Sequence, residues 1–322
     1  MPVSDTSRLG GRFQELAENV ERFVRGKPEV VRLALVCLLA QGHLLIEDVP
    51  GVAKTSLAKA IARSIGGATV KRIQFTPDLL PSDVTGVQVY DQGSGRFEFR
   101  PGPVFAHVLL GDEINRAAPK TQSALLEVMA EGQVTVDGEA RAVPDPFLCI
   151  ATQNPVEHQG TYALPEAQLD RFLMRIAIGY PADTTDEVTI IGDGVARRRP
   201  EELRPVLELD ELRLMITAVR KTHLSAELQN YVAMITRATR THSDVRLGVS
   251  PRGSIALAVA AQAYAVSAGR EFVTADDVKA VAVPVLGHRL LLTAEARIGR
   301  HRPESIVGEV LAAVPVPGMG RR

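Results

Sequence analysis

Apolar side chains at Phe13, Leu16, Val20 and Phe23 are spaced by three and four residues, which predicts an amphipathic helix over residues 11–24. A second apolar helix, over Glu29–Leu39, follows Gly26. The run His43–Glu47 predicts a short strand, Asp48–Gly51 a turn, and Thr55–Ile65 a helix closing at Gly66. Further short strands are expected at Thr69–Gln74, His107–Asp112, Phe147–Thr152 and Arg175–Gly179. Short apolar strands alternating with helices predict an α/β core with a parallel sheet covered on both faces.

Two hairpins interrupt the alternation. One pairs Gly86–Tyr90 with Arg96–Arg100, and the other turns at Asp137-Gly138, a strong hairpin dipeptide. Beyond residue 185 the pattern changes. A basic run, Arg197–Arg199, ends at Pro200, and from Glu202 onward the segments read as helical. Ser250-Pro251 is a helix start, with a serine cap and proline in the first turn. Thr274 with Asp277 fits a loose capping box. The expected organisation is a core over residues 1–185, a linker over 186–204 and an all-α domain over 205–322.

Composition narrows the function classes. The net charge of the 322-residue chain is −1, so no overall basic field exists to hold a nucleic-acid backbone, although a local stripe stays open. The two cysteines, Cys37 and Cys149, lie in apolar runs and read as buried reduced thiols. No clustered zinc ligands, signal-peptide core or membrane-length apolar run is seen. A cytoplasmic protein with no membrane segment is the expectation.

The strongest chemical signal is Glu47-Asp-Val-Pro-Gly-Val-Ala-Lys-Thr55, set between a strand and a helix. A phosphate loop needs backbone amides facing the phosphates, a lysine for the outer phosphates and a hydroxyl for magnesium. Asp48, Pro50, Gly51, Val52, Ala53, Lys54, Thr55 and Ser56 are therefore the candidate nucleotide contacts. The pattern asks for glycine where Asp48 and Ala53 stand, and a positive φ at Ala53 carries strain. The alternative is a Gly-Pro turn followed by an exposed lysine.

Val108–Glu113 is an apolar strand ending in two carboxylates, and ligands of α/β sheets bind at such ends. Asp112 is the candidate magnesium ligand with Thr55, and Glu113 the candidate activator of the attacking water. The alternative is that both cap the next helix. Asn154 either bonds the attacking water or the terminal phosphate, or only forms an Asn-Pro turn with Pro155. Arg171 either completes a neighbouring subunit's site or forms a surface pair with Asp170. Arg252 either reaches the nucleotide from the helical domain or is a solvated first-turn arginine.

These elements occur in the order of an AAA+ ATPase, and several stretches resemble its MoxR branch. They are Gly42–Gly51, Gln74–Asp83, Asp112–Ala117, Ala151–Pro155, Leu164–Phe172, Ser250–Arg252 and Val285–Arg289, spread over nearly the whole chain. The resemblance implies that Lys54 and Thr55 belong to Walker A, and Asp112 and Glu113 to Walker B. It makes Asn154 similar to sensor 1, Arg171 to the arginine finger and Arg252 to sensor 2. The Gly86–Arg100 hairpin looks like the helix-2 insert and the second hairpin like the pre-sensor-1 insertion. A five-stranded AAA+ core, a helical lid, ATP and Mg2+ as cofactors and a hexamer follow from the resemblance. So do chaperone-like action on protein clients, such as metalloenzymes and complexes under maturation, and partners carrying a von Willebrand factor A domain.

Three alternatives stand beside this reading. Ala53 motivates an ATP-gated scaffold with little hydrolysis. A nucleic-acid motor is disfavoured by near-neutral charge and 4% aromatic residues. A magnesium-chelatase motor subunit is the nearest relative class. For a client-gripping role, Tyr90, Phe97 and Phe99 are the apolar candidates on the first hairpin, unless they pack on the core.

Overall fold

The computed structural model describes residues 5–154 and 161–318. At its centre lie five strands: β1 (Leu44–Glu47), β2 (Val70–Gln74), β3 (Val108–Asp112), β4 (Leu148–Gln153) and β5 (Met174–Ile176). They run parallel in the order β5-β1-β4-β3-β2. Alternate side chains enter two separate apolar layers. Leu44, Ile46, Leu110, Ile150 and Met174 face one, while Leu45, Leu109, Cys149 and Ala151 face the other. Both faces are covered, which is why the strands read as continuous apolar runs.

The first layer is closed by the helices Asp5–Glu21, Pro28–Leu39 and Lys54–Arg63 together with the helical domain. The second is closed by the helix Pro119–Glu131. The first helix starts earlier than the predicted residue 11 and ends earlier than residue 24. Tertiary contact explains the early start. A Cβ on Gly10 would lie 2.5 Å from the Cα of Gly269, so the two backbones touch where neither residue has a side chain. The helix after the phosphate loop stops at Arg63 rather than Ile65, because Ile65 and Gly66 pair with Leu207 and Glu208 as a short parallel strand. β5 ends before the predicted Gly179, because the amides of Ile178 and Gly179 turn to the carboxylate of Asp48.

Both predicted hairpins form. The first pairs Gly86–Asp91 with Arg96–Pro101, with Tyr90 opposite Phe97. The second pairs Gln133–Val136 with Glu139–Ala142. Its turn residues Asp137 (φ 52°) and Gly138 (φ 81°) take the two left-handed conformations that a tight two-residue turn requires. The aromatic candidates divide. Phe99 stacks edge-on with Phe105 and lies under the Arg141 guanidinium, whereas Tyr90 and Phe97 contact each other in the open.

Part of the expected linker is helical. Thr184–Val195 forms a helix whose N-cap Asp183 accepts from the Asp186 amide, and none of its side chains is buried. The helical domain contains Leu209–Lys221, Ala226–Thr241, Pro251–Ser267, Ala275–Leu286 and Pro303–Ala313, with one short antiparallel pair of Val245–Leu247 against Leu291–Leu292. Its caps follow the sequence: Ser250 accepts from Gly253, and Thr274 exchanges hydrogen bonds with Asp277. Among the described residues, no helix is long and apolar enough to cross a membrane.

Candidate functional site

The ends of four neighbouring strands, β1, β4, β3 and β2, meet at one cleft of about 240 Å³. β1 leads into the loop from Asp48 to Ala53, β3 ends in Asp112, and β4 is followed by Asn154. The loop side of the cleft is Pro50, Gly51, Val52, Ala53, Lys54, Thr55 and Ser56, facing Asp112, Glu113 and Asn154. A larger hollow of about 590 Å³, between the first helix and Leu209–Lys221, gathers none of the predicted site residues.

The loop turns through two left-handed residues before the helix. Gly51 (φ 86°) and Ala53 (φ 61°) are both left-handed, and the helix begins at Lys54. Its first amides lack partners within the helix, and its first residues, Lys54, Thr55 and Ser56, line the cleft at the positive end of the helix dipole. For alanine this conformation costs about 1–2 kcal/mol, so the strain expected at Ala53 is present. Lys54 Nζ donates to the carbonyl of Asp48 at 2.6 Å. Burial lowers the pKa of this ammonium, against the pull of Asp48, Asp112 and Glu113.

Asp48 was expected among the nucleotide contacts by its place in the loop. Its side chain does not line the cleft. One carboxylate oxygen accepts from Val49 at 2.8 Å, and the other from Ile178 at 2.7 Å and Gly179 at 2.6 Å. An aspartate where a glycine was expected therefore pins the start of the loop to the chain leaving β5.

The carboxylates are held by residues that the sequence reading did not single out. Arg72 Nε donates to Asp112 Oδ2 at 2.6 Å, and Thr152 Oγ1 to Asp112 Oδ1 at 3.3 Å. Glu113 Oε2 accepts from Gln74 Nε2 at 2.8 Å and from Arg116 at 3.0 Å. β2 pairs beside β3 with Gln74 opposite Asp112, which brings Arg72 and Gln74, two residues apart on one strand face, to the site. Their signal in the sequence was polarity at the end of a strand, which is legible only once the strand order is known.

Asn154 lies buried in the cleft wall. Pro155, the other half of the predicted Asn-Pro turn, lies outside the described residues. Arg171 and Arg252 do not line the cleft. Arg171 donates to the carbonyl of Leu126 at 2.5 Å. The alternative Asp170–Arg171 pair does not describe Asp170, whose carboxylate is met by Arg289 at 2.7 Å and Arg252 at 3.9 Å. Arg252 thus extends from the helical domain to the segment carrying Arg171.

The donor set fits a nucleotide triphosphate with magnesium. The cradle presents amides and one ammonium to phosphates. The Thr55 hydroxyl and the Asp112 carboxylate are the hard oxygen donors that would hold Mg2+.

Residues 43–174 match the family described as "ATPase family associated with various cellular activities (AAA)", and residues 237–310 match the AAA lid domain. The chain is 49% identical over 300 residues to the Bacillus subtilis protein YeaC, covering 93% of each. It is 43% identical to the chaperone MoxR1 of Mycobacterium tuberculosis, over 92% of this chain and 80% of that one. A crystal structure of a Cytophaga hutchinsonii protein superposes with a TM-score of 0.90 at 35% identity, covering 97% of both chains. With the five-stranded sheet, the phosphate loop and the helical lid all in place, the chain belongs to the MoxR family of AAA+ ATPases.

Proposed function

We propose that the chain binds ATP with Mg2+, hydrolyses it, and uses the cycle in an oligomeric ring to remodel protein clients. The observation that carries this is the meeting of Lys54, Thr55, Asp112, Glu113 and Asn154 around one cleft at the strand ends. In this reading the loop amides and Lys54 hold the phosphates. Thr55 and Asp112 would hold the magnesium, which would supply charge neutralisation on the transferred phosphoryl group. Glu113 accepts the proton of the attacking water, and Asn154 orients that water or the terminal phosphate. Arg171 acts in the site of the neighbouring subunit, and Arg252 links the lid to the nucleotide. A hexamer, residence in the cytoplasm, a partner with a von Willebrand factor A domain and action in metalloenzyme or complex maturation belong to the same reading. The exposed pair Tyr90 and Phe97 is its client-facing candidate.

One observation favours a second reading. Ala53 holds a strained left-handed conformation in the loop that would cradle the phosphates, which fits an ATP-gated scaffold. Phosphate release and equilibrium nucleotide binding, measured for the wild type and Glu113→Gln, separate the two. Hydrolysis predicts that both proteins bind ATP and that turnover falls at least about a hundredfold in the variant. Equal binding with no turnover difference would leave the scaffold.

A further inference from the structure

Arg289 is an arginine of the lid with 4% of its side chain exposed, and four of its six hydrogen bonds go to one segment of the core, the other two joining Val285 and His288 within the lid. Nε donates to Asp170 Oδ1 at 2.7 Å. Nη2 donates to the carbonyl of Asp170 at 3.2 Å and to that of Phe172 at 2.7 Å. Nη1 donates to the carbonyl of Leu173 at 3.2 Å and to that of Val285 within the lid. The residues on both sides of Arg171 are therefore gripped by one guanidinium, and Arg171 is not. Its own side chain reaches Leu126 on the helix Pro119–Glu131.

A buried guanidinium is tolerated only while its partners stay with it. The fork of Arg289 meets a carboxylate and the carbonyls of Asp170, Phe172 and Leu173 together, a geometry that lysine cannot reproduce. Movement of the lid therefore carries the backbone of residues 170–173. Arg252, also of the lid, lies 3.9 Å from the second oxygen of Asp170, so two lid arginines converge on this carboxylate.

We propose that Arg289, acting through Asp170, is the positioning residue for Arg171, so that the lid of one subunit sets the arginine offered to the next subunit's nucleotide. The inference rests on the reading that Arg171 works in trans. A purely structural Arg289 would support only its own subunit.

Subunit mixing separates these roles. Arg289→Lys and Asp170→Asn are each measured alone and then mixed with an excess of Glu113→Gln, at concentrations where turnover per subunit has reached its plateau. The Glu113→Gln subunit brings an intact Arg171 segment and no turnover of its own. Both positioning variants are expected to keep nucleotide affinity, which shows that they fold, and to lose turnover on the order of tenfold to a hundredfold. Mixing is expected to raise their turnover toward that of wild type diluted in the same way. Arg171→Ala is the reference and should be rescued alike. Rescue of Arg171→Ala without rescue of Arg289→Lys or Asp170→Asn overturns the positioning role and leaves the trans arginine standing. No rescue of Arg171→Ala overturns both. Loss of nucleotide binding in both positioning variants also overturns it, since the clamp would then serve its own subunit's site.

Discussion

Thr152 Oγ1 accepts the backbone N–H of Glu113 at 2.9 Å, and the same hydroxyl donates to Asp112 at 3.3 Å. A single side chain at the end of β4 thus fixes both acidic residues at the end of β3. Glu113 sits at φ 57°, a conformation that a non-glycine residue keeps only when its surroundings hold it there. Thr152→Val leaves the amide unsatisfied and releases that hold. The expected loss is about 1–2 kcal/mol of stability and about tenfold in turnover, with Thr152→Ser close to wild type. Denaturant unfolding and phosphate release check it.

Ala53→Gly addresses the strain in the cradle. Glycine removes the left-handed penalty and adds backbone entropy to the unfolded chain, so the net gain is roughly half a kcal/mol. The variant is expected to unfold at slightly higher denaturant and to bind ATP more tightly. Weaker binding would mean that the alanine methyl supports the loop.

How much of this site was legible beforehand depended on how local its parts are. Lys54 and Thr55, and Asp112 and Glu113, are adjacent in sequence, and a strand followed by a polar turn announced each pair. Arg72, Gln74 and Thr152 come to the site only through the pairing of β2 with β3 and of β3 with β4, and no local pattern carries strand order. Asp48 holds a backbone position of the motif, so its side chain is free to serve the fold, which no local pattern foretells. The contacts of Arg252 and Arg289 with Asp170 were not legible, because Asp170 is distant from both in sequence. The core strands were readable from two dry faces, whereas helix ends were shifted by contacts such as Gly10 against Gly269.

His43 makes stability depend on pH. Its Nδ1 accepts from the amide of Cys149 at 3.1 Å, which assigns the proton to Nε2, 2.9 Å from the carbonyl of Met129. Burial lowers its pKa from 6.5 to about 4. The unfolded chain therefore binds this proton first. The contribution is complete above pH 6.5 and is lost as the pH falls toward 4, by about 3 kcal/mol in all. Burial lowers the pKa of His288 too, so its effect has the same sign. Unfolding of wild type and His43→Gln between pH 7.5 and 5 isolates the first. The gap between them should narrow as the pH falls, and a constant gap would contradict the assignment.

The first hairpin should separate packing from contact with clients. Phe97 is 68% exposed, so Phe97→Ser and Tyr90→Ser are expected to change stability by no more than about 0.5 kcal/mol and to leave basal turnover intact. Phe99→Ser removes the contacts with Phe105 and Arg141 and is expected to cost about 1–2 kcal/mol. Thermal unfolding distinguishes the two outcomes.

The central claim is that the cleft becomes a working ATPase when a neighbouring subunit supplies Arg171. Steady-state turnover per subunit, measured over a wide range of protein concentration, tests it most directly. Turnover is expected to rise with concentration to a plateau, with Arg171→Ala remaining low throughout. Turnover per subunit that is independent of concentration, and unaffected by Arg171→Ala, would contradict it.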